Sequence, residues 1–227
     1  MKALFRAVPL GLVAVLAGIF VPLDARQRSE SPALKLYVFD CGTLKDRDPG
    51  TSNLTRDQVQ ATDMSDPCFL VLHSRGTLLW ETGLNDPTFN WPGGGGPRGD
   101  KVDRSLKSQI EQLGFKPQSI TYLAMSHSHG DHSGNANDYT SATWLVQRAE
   151  HANMFRTDAA SPGANAADYA ALKNSKTVLL DGDHDVFGDG TVILKATPGH
   201  TPGHQSLFLR LAKTGPLMLS GDLYHFP

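Results

Sequence analysis

The chain has 227 residues, 40% hydrophobic and 19% charged, with a net charge of −2 from 21 basic and 23 acidic side chains. That length suits one substantial domain or two small ones, and the composition excludes an intrinsically disordered chain. No Lys- or Arg-rich run is present, which argues against nucleic acid or an anionic membrane surface as a partner.

Lys2 and Arg6 precede a nearly unbroken apolar run from Ala7 to Leu23, which Asp24 and Arg26 end. A charged start followed by an apolar stretch is the layout of a secretory signal. Residues 1–25 are therefore expected to be a signal peptide and the protein to be exported, periplasmic or secreted. The alternative is an uncleaved N-terminal membrane anchor, since a run of this length can just span a bilayer. Residues 26–33 form a polar linker, and one domain is expected over 34–227. Cys41 and Cys68 are the only cysteines. In an exported chain they can form a disulfide; two small buried thiols fit the sequence equally well.

Lys35 to Asp40 alternates as a strand does. Asp46 to Asp66 is polar and turn-rich, an excursion between elements. Cys68 to His73 and Thr77 to Glu81 read as a hairpin around the three-residue loop Ser74-Arg75-Gly76. Trp91 to Asp100, with five glycines and two prolines, is a loop in which Trp91 is a candidate lid residue. Asp103 is a candidate N-cap for a helix carrying Leu106, Ile110 and Leu113 on one face, stopped by Gly114. Ile120 to Met125 is a buried-type strand. Thr143 to Gln147 is a strand, and Arg148 to Phe155 and Ala166 to Asn174 are helices. Val178 to Asp181 and Thr191 to Ala196 are strands separated by the turn-rich Gly182 to Gly190. Gln205 to Leu211 and Leu217 to Ser220 are the last strands. Many strands with short helices between them indicate a layered α/β domain.

Three segments carry chemistry. In Ser126-His127-Ser128-His129-Gly130-Asp131-His132, three of the nine histidines and a carboxylate fall within six residues, directly after a strand. His127 and His129 are two apart, so an extended backbone projects them to one side. Gly130 then permits a sharp turn, after which Asp131 and His132 address a second position. Thr197-Pro198-Gly199-His200-Thr201-Pro202-Gly203-His204 is a rigid turn after another strand, and Ser220-Gly221-Asp222 follows a third. Imidazole and carboxylate donors in a nearly cysteine-free chain suit a catalytic zinc site better than a structural one.

Together these segments resemble the metallo-β-lactamase superfamily, from about Leu34 onward and in the expected order. The resemblance implies a four-layer αββα sandwich with the site at one edge of its two sheets. It also implies a metal-dependent hydrolase with two zinc ions, the first held by His127, His129 and His200, the second by Asp131 and His132, and both by Asp222. In that reading a metal-bridging hydroxide attacks a carbonyl, and Asp131, Asp222, Tyr224 and His225 form the catalytic set. The family also has a further histidine ligand well beyond the bridging aspartate. This sequence offers no match for it, so the last strand and helix are expected to be missing. The chain would then be a fragment or have a weakened second site, with an inactive metal-binding remnant as the competing class of function.

Within the superfamily, His129 stands where related diiron flavoproteins have glutamate, and Asp222 argues against β-lactam cleavage. The run Thr197 to Leu207 is most similar to N-acyl homoserine lactonases, so a small-molecule lactone or ester is the expected substrate. Those enzymes usually carry a tyrosine three residues after the bridging aspartate; here Tyr224 is two after and His225 three after. A glyoxalase II-like thioesterase, an alkylsulfatase or a β-lactamase is the alternative. Glu81-Thr82-Gly83 stands where the superfamily has Asp-Thr-Gly, which makes Glu81 a supporter of the metal loop and not a ligand. His204 is expected to hold its loop by hydrogen bonds, His73 to lie at the surface, His151 to be solvated or capping on its helix, and His184 to sit in a turn. Trp80 and Trp144 are expected in the core.

Overall fold

Two sheets form, a larger mixed one and a smaller antiparallel one. The computed structural model describes residues 34–86, 99–157 and 162–226. The expected signal peptide and linker, together with Trp91, lie outside the described residues. The larger sheet has the order β1 (Lys35–Leu44), β2 (Met64–His73), β3 (Gly76–Trp80), β4 (Tyr122–Ala124), β5 (Thr143–Gln147), β6 (Thr177–Leu180). Its first three strands are antiparallel, and β3 to β6 run parallel. The smaller sheet has the order β10 (Gly215–Leu219), β9 (Gln205–Leu211), β8 (Val192–Ala196), β7 (His184–Asp185), all antiparallel.

The central strands of the larger sheet are buried on both faces. Leu70, Leu79, Leu123, Trp144 and Val146 point to one core, with Leu106 and Ile110 of helix α1 (Leu106–Gln112) and Met154 of helix α3 (Arg148–Met154). The alternate residues Val71, Leu78, Trp80, Ala124 and Leu145 point to a second core, shared with Val192, Leu194, Leu207 and Leu209 of the smaller sheet. Trp80 and Trp144 are both buried, as expected. Successive side chains of a strand face opposite sides, so strands buried on both sides read as continuous apolar runs. The described residues thus stack helices, sheet and sheet. α1 packs on β1, and α3 packs on β5 and β6.

Several expectations are corrected. β2 begins at Met64, inside the expected excursion, and Pro67 lies within it opposite Asp40. A register shift between Asp40 and Thr43 accommodates that proline, which cannot donate to a ladder. The β2–β3 turn has two residues, Ser74 and Arg75, because His73 pairs with Gly76. α1 is capped by Ser105, whose side chain accepts the Ser108 N–H; Asp103 does not cap it. The expected strand Ile120 to Met125 is only β4. Ala166 to Asn174 divides into helix α4 (Ala166–Tyr169) and a 3-10 turn. His184 is a strand residue paired with Leu194. The His73 side chain is tucked against Phe187, ring centroids 4.1 Å apart, and lies 2.9 Å from Asp189. It therefore links the β2–β3 turn to the β7–β8 loop instead of facing solvent. His151 is half-buried beside Trp144 and Phe155. Cys41 and Cys68 are joined in a buried disulfide, which decides between the two readings of that pair.

Candidate metal centre

The three motif segments all emerge at one edge of the sheets. Parallel β3 and β4 end at Trp80 and Ala124, so Glu81 and Ser126 leave the sheet side by side. The chain bends at Ser126 and Ser128, is extended at His129 and then enters helix α2 (Gly130–Ser133). Gly130 therefore opens a helix, and no left-handed turn is needed there. His129 stands just outside the first helical turn, while Asp131 and His132 stand on it. The second segment leaves β8 at Thr197 and returns at Gln205, and the third follows β10.

One ligand atom each from His127, His129, His200 and Asp222, and one each from Asp131, His132 and Asp222, lie within 4.8 Å of one another in their respective groups. Asp222 belongs to both. Its Oδ2 is 3.8 Å from His127 Nε2 and 3.4 Å from His200 Nε2, and its Oδ1 is 3.1 Å from His132 Nε2. His129 Nδ1 and His200 Nε2 face each other at 3.0 Å.

Burial pushes the His127, His129 and His200 imidazoles below the ordinary histidine range, so they are neutral donors near neutral pH. Burial opposes the Asp222 charge, but hydrogen bonds from His132 and His225 outweigh it and hold the carboxyl well below its usual range. Burial also disfavours a charged His132, yet Glu81, Asp131 and Asp222 raise it well above the usual histidine value. His127 Nε2 is buried without a hydrogen-bond partner. An orphaned buried nitrogen is costly, and a cation between it and Asp222 would satisfy it. Nitrogen and carboxylate donors of this kind fit zinc, and three protein ligands suffice for a catalytic site with an open position. The residues present therefore fit a pair of divalent metals.

A family model for the metallo-beta-lactamase superfamily matches residues 62–223. The chain belongs to that superfamily. It is 34% identical over 206 residues to the N-acyl homoserine lactonase AttM of Rhizobium radiobacter, covering 83% of this chain and 76% of that protein. It is 30% identical over 198 residues to the N-acyl homoserine lactonase AiiA of Bacillus thuringiensis subsp. kurstaki, covering 83% and 75%. Among solved structures, an N-acyl homoserine lactone hydrolase with the product N-hexanoyl-L-homoserine bound at its catalytic metal center aligns with a TM-score of 0.64 and 25% identity, over 84% of this chain and 76% of that one. The protein is a metallo-hydrolase of the metallo-β-lactamase fold, similar to these lactonases.

The supporting shell of this metallo-hydrolase was partly legible. Glu81 accepts the Ser126 N–H at 3.2 and 3.1 Å and approaches His132 Nδ1 at 3.3 Å. Its backbone is left-handed at φ 65°, a conformation that costs a non-glycine residue about 1–3 kcal/mol and concentrates at functional sites. His204 is buried. Its Nδ1 lies 2.9 Å from Thr197 Oγ1, and its Nε2 accepts the Asp222 N–H at 3.1 Å. It thus ties the second segment to the third, and burial lowers its pKa to about 4. Sequence reasoning missed Ser126, whose hydroxyl is 2.9 Å from His127 Nδ1 and 3.2 Å from His132 Nδ1. It missed Asn135, which donates to the Thr82 and Leu84 carbonyls. It also missed the buried Glu150. No spacing signals a lone polar residue that acts through backbone contacts. Tyr224 is 78% exposed, whereas His225 Nε2 is 3.0 Å from Asp222 Oδ2.

A cavity of about 540 Å³ opens beside Asp131, His132 and Asp222. Met64, Phe69, Trp80 and Met218 supply apolar wall, and Tyr224 and His225 border it. Asp66 also lines it, with a carboxylate that accepts the Leu84 N–H at 2.8 Å. Burial pushes that carboxyl well above the usual carboxylate range. Its charged form therefore destabilises the fold above the raised folded pKa, and the penalty is absent below the unfolded value of about 4. Asp66→Asn should raise the thermal midpoint of the metal-free protein at about pH 8, with the gain vanishing toward about pH 4. Thermal melts across pH check this; a loss of stability at every pH would contradict it.

Proposed function

We propose that this metallo-hydrolase opens the lactone ring of N-acyl homoserine lactones at a dinuclear zinc centre. His127, His129 and His200 would hold one ion, Asp131 and His132 the other, and Asp222 both. The observation that carries the reading is the pair of ligand groups sharing Asp222, with Asp131, His132 and Asp222 lining a cavity whose wall is part apolar and part polar. The likeness to lactonases supports the substrate class. When bound, the metal pair supplies Lewis acidity toward the carbonyl and makes a solvent nucleophile available near neutral pH.

The chain's own residues do the rest. Asp131 and Asp222 cancel only part of the metal charge, so the centre stays electropositive toward a developing oxyanion. Met64, Phe69, Trp80 and Met218 would offer an acyl chain an apolar surface. His225, and Tyr224 beside it, would donate hydrogen bonds to the oxyanion or to the leaving alkoxide. The buried disulfide supports export to an oxidising compartment, periplasmic or extracellular.

Zinc-loaded protein assayed against an N-acyl homoserine lactone, a thioester, an alkyl sulfate ester and a β-lactam tests the proposal. Acid release from the lactone should dominate and be abolished by a chelator. A preferred thioester would overturn the lactonase reading, and a rate insensitive to chelation would overturn the metal reading.

A further inference from the structure

Glu150 is the third residue of α3 and only 2% exposed. Its carboxylate is reached from two loops at once. Oε1 accepts the Ser128 N–H at 3.0 Å, and Ser128 separates His127 from His129. Oε2 accepts the Thr201 hydroxyl at 2.7 Å and the Gly203 N–H at 3.0 Å, and Thr201 follows His200 directly. Gly203 permits this approach, because a Cβ there would lie 2.2 Å from the Glu150 nitrogen. A buried charge is expensive unless it is hydrogen-bonded and balanced. The three donors to Glu150 are neutral, so they satisfy its lone pairs, and among the described residues no cationic side chain pairs with it.

We propose that Glu150 is the positioning residue of the metal centre. It locks the His127/His129 loop to the His200 loop so that three imidazoles converge, and its charge is balanced by the cation they bind. This rests on the ligand assignment proposed above. The arrangement divides the labour between two elements: α3 sets the distance between the loops, and the loops set the direction of the imidazoles. Hydrogen-bonding partners behind metal ligands commonly change metal affinity by about 10–100-fold. Here one carboxylate stands behind both loops, where a ligand's own neighbour would stand behind one.

The test is metal affinity, measured by cobalt titration and competition with a chelator, on wild type, Glu150→Gln and Thr201→Val. Glu150→Gln keeps the shape but presents an amide N–H₂ toward one set of donors. It should weaken the first metal equivalent by about 10–100-fold and alter the cobalt absorption spectrum. Thr201→Val keeps the charge and removes one donor, so its loss should be smaller. The double variant should bind no worse than Glu150→Gln alone, because the two changes break one contact. A merely structural Glu150 would lower the thermal midpoint while leaving affinity and spectrum unchanged, and that result overturns the proposal. Full additivity in the double variant overturns it too. If Glu150→Gln does not fold, Thr201→Val decides: unchanged affinity rejects the coupling, and weakened affinity with an altered spectrum upholds it. Wild-type protein that takes up no metal overturns the ligand assignment as well, whereas two equivalents bound by wild type and variants alike overturn only the role of Glu150.

Discussion

Asp222→Asn should lower lactone hydrolysis by several orders of magnitude while leaving the fold intact. The two carboxylate oxygens of Asp222 face different groups, Oδ2 toward His127 and His200 and Oδ1 toward His132. Asparagine keeps one oxygen and replaces the other with an N–H₂ that no cation accepts. The Lewis acidity of a metal contributes several kcal/mol of transition-state stabilisation, and each 1.36 kcal/mol is about tenfold in rate. Loss of one metal position therefore costs orders of magnitude, not a small factor. The fold should survive because the Asp222 backbone N–H still donates to His204 Nε2. Initial rates, bound-metal stoichiometry and circular dichroism check the three parts separately. On the proposed two-metal assignment, stoichiometry should fall from two toward one. A near wild-type rate would overturn the bridging role proposed for Asp222.

Much of this site was legible because ligands are constrained by spacing. His127 and His129 are two apart, and their rings do converge, centroids 4.4 Å apart. Asp131 and His132 came from the same segment, but through a helical turn and not the glycine-enabled turn expected of Gly130. The consequence for side-chain direction was similar, which is why a wrong local geometry still yielded the right neighbours. His200 and Asp222 were found through motif resemblance, since nothing in their own spacing brings them to His127. Glu150 escaped because its partners are backbone groups and a side chain of other segments, and Ser126 because a lone serine beside the histidines carries no spacing signal of its own.

The fold was legible where an apolar run has clear ends, as in Thr143–Gln147, and blurred where polar residues or a proline continue a strand, as in Met64–His73. Gln205–Leu211 was read to the residue, because β9 alternates Leu207 and Leu209 inward. β2 was cut short because Asp66-Pro67 looks like a break. A bulged partner strand tolerates that proline, and Asp66 is hydrogen-bonded to Leu84 instead of solvated. His73 was misjudged for a related reason: the stacking on Phe187 joins two segments far apart in sequence, and no local pattern reports such a contact.

Removing the cross-link by Cys41→Ala with Cys68→Ala should cost about 3.5 kcal/mol of stability and loosen the metal loop. The cysteines are 27 residues apart, and closing a loop of that length in the unfolded chain corresponds to about 3–4 kcal/mol in the chain-entropy account. The functional consequence follows from what lies against the cross-link. A Cβ on Gly83 would sit 2.2 Å from the Cys41 Cβ, so the Thr82-Gly83 backbone rests directly on the disulfide. That backbone holds α2 from below: the Thr82 N–H donates to the His132 carbonyl at 2.9 Å, and the Gly83 carbonyl accepts the Gly134 N–H at 2.9 Å. The metal-free double variant should therefore lose both its thermal midpoint and its grip on the Asp131/His132 position. Saturating zinc should restore part of the midpoint, because a ligand that binds only the folded state stabilises it by mass action. Denaturant unfolding with and without zinc measures both effects. A loss below about 1 kcal/mol would mean that the unfolded chain is already compact around this hairpin. A full loss that zinc does not relieve would mean that the disulfide supports the sheet but not the loop above it.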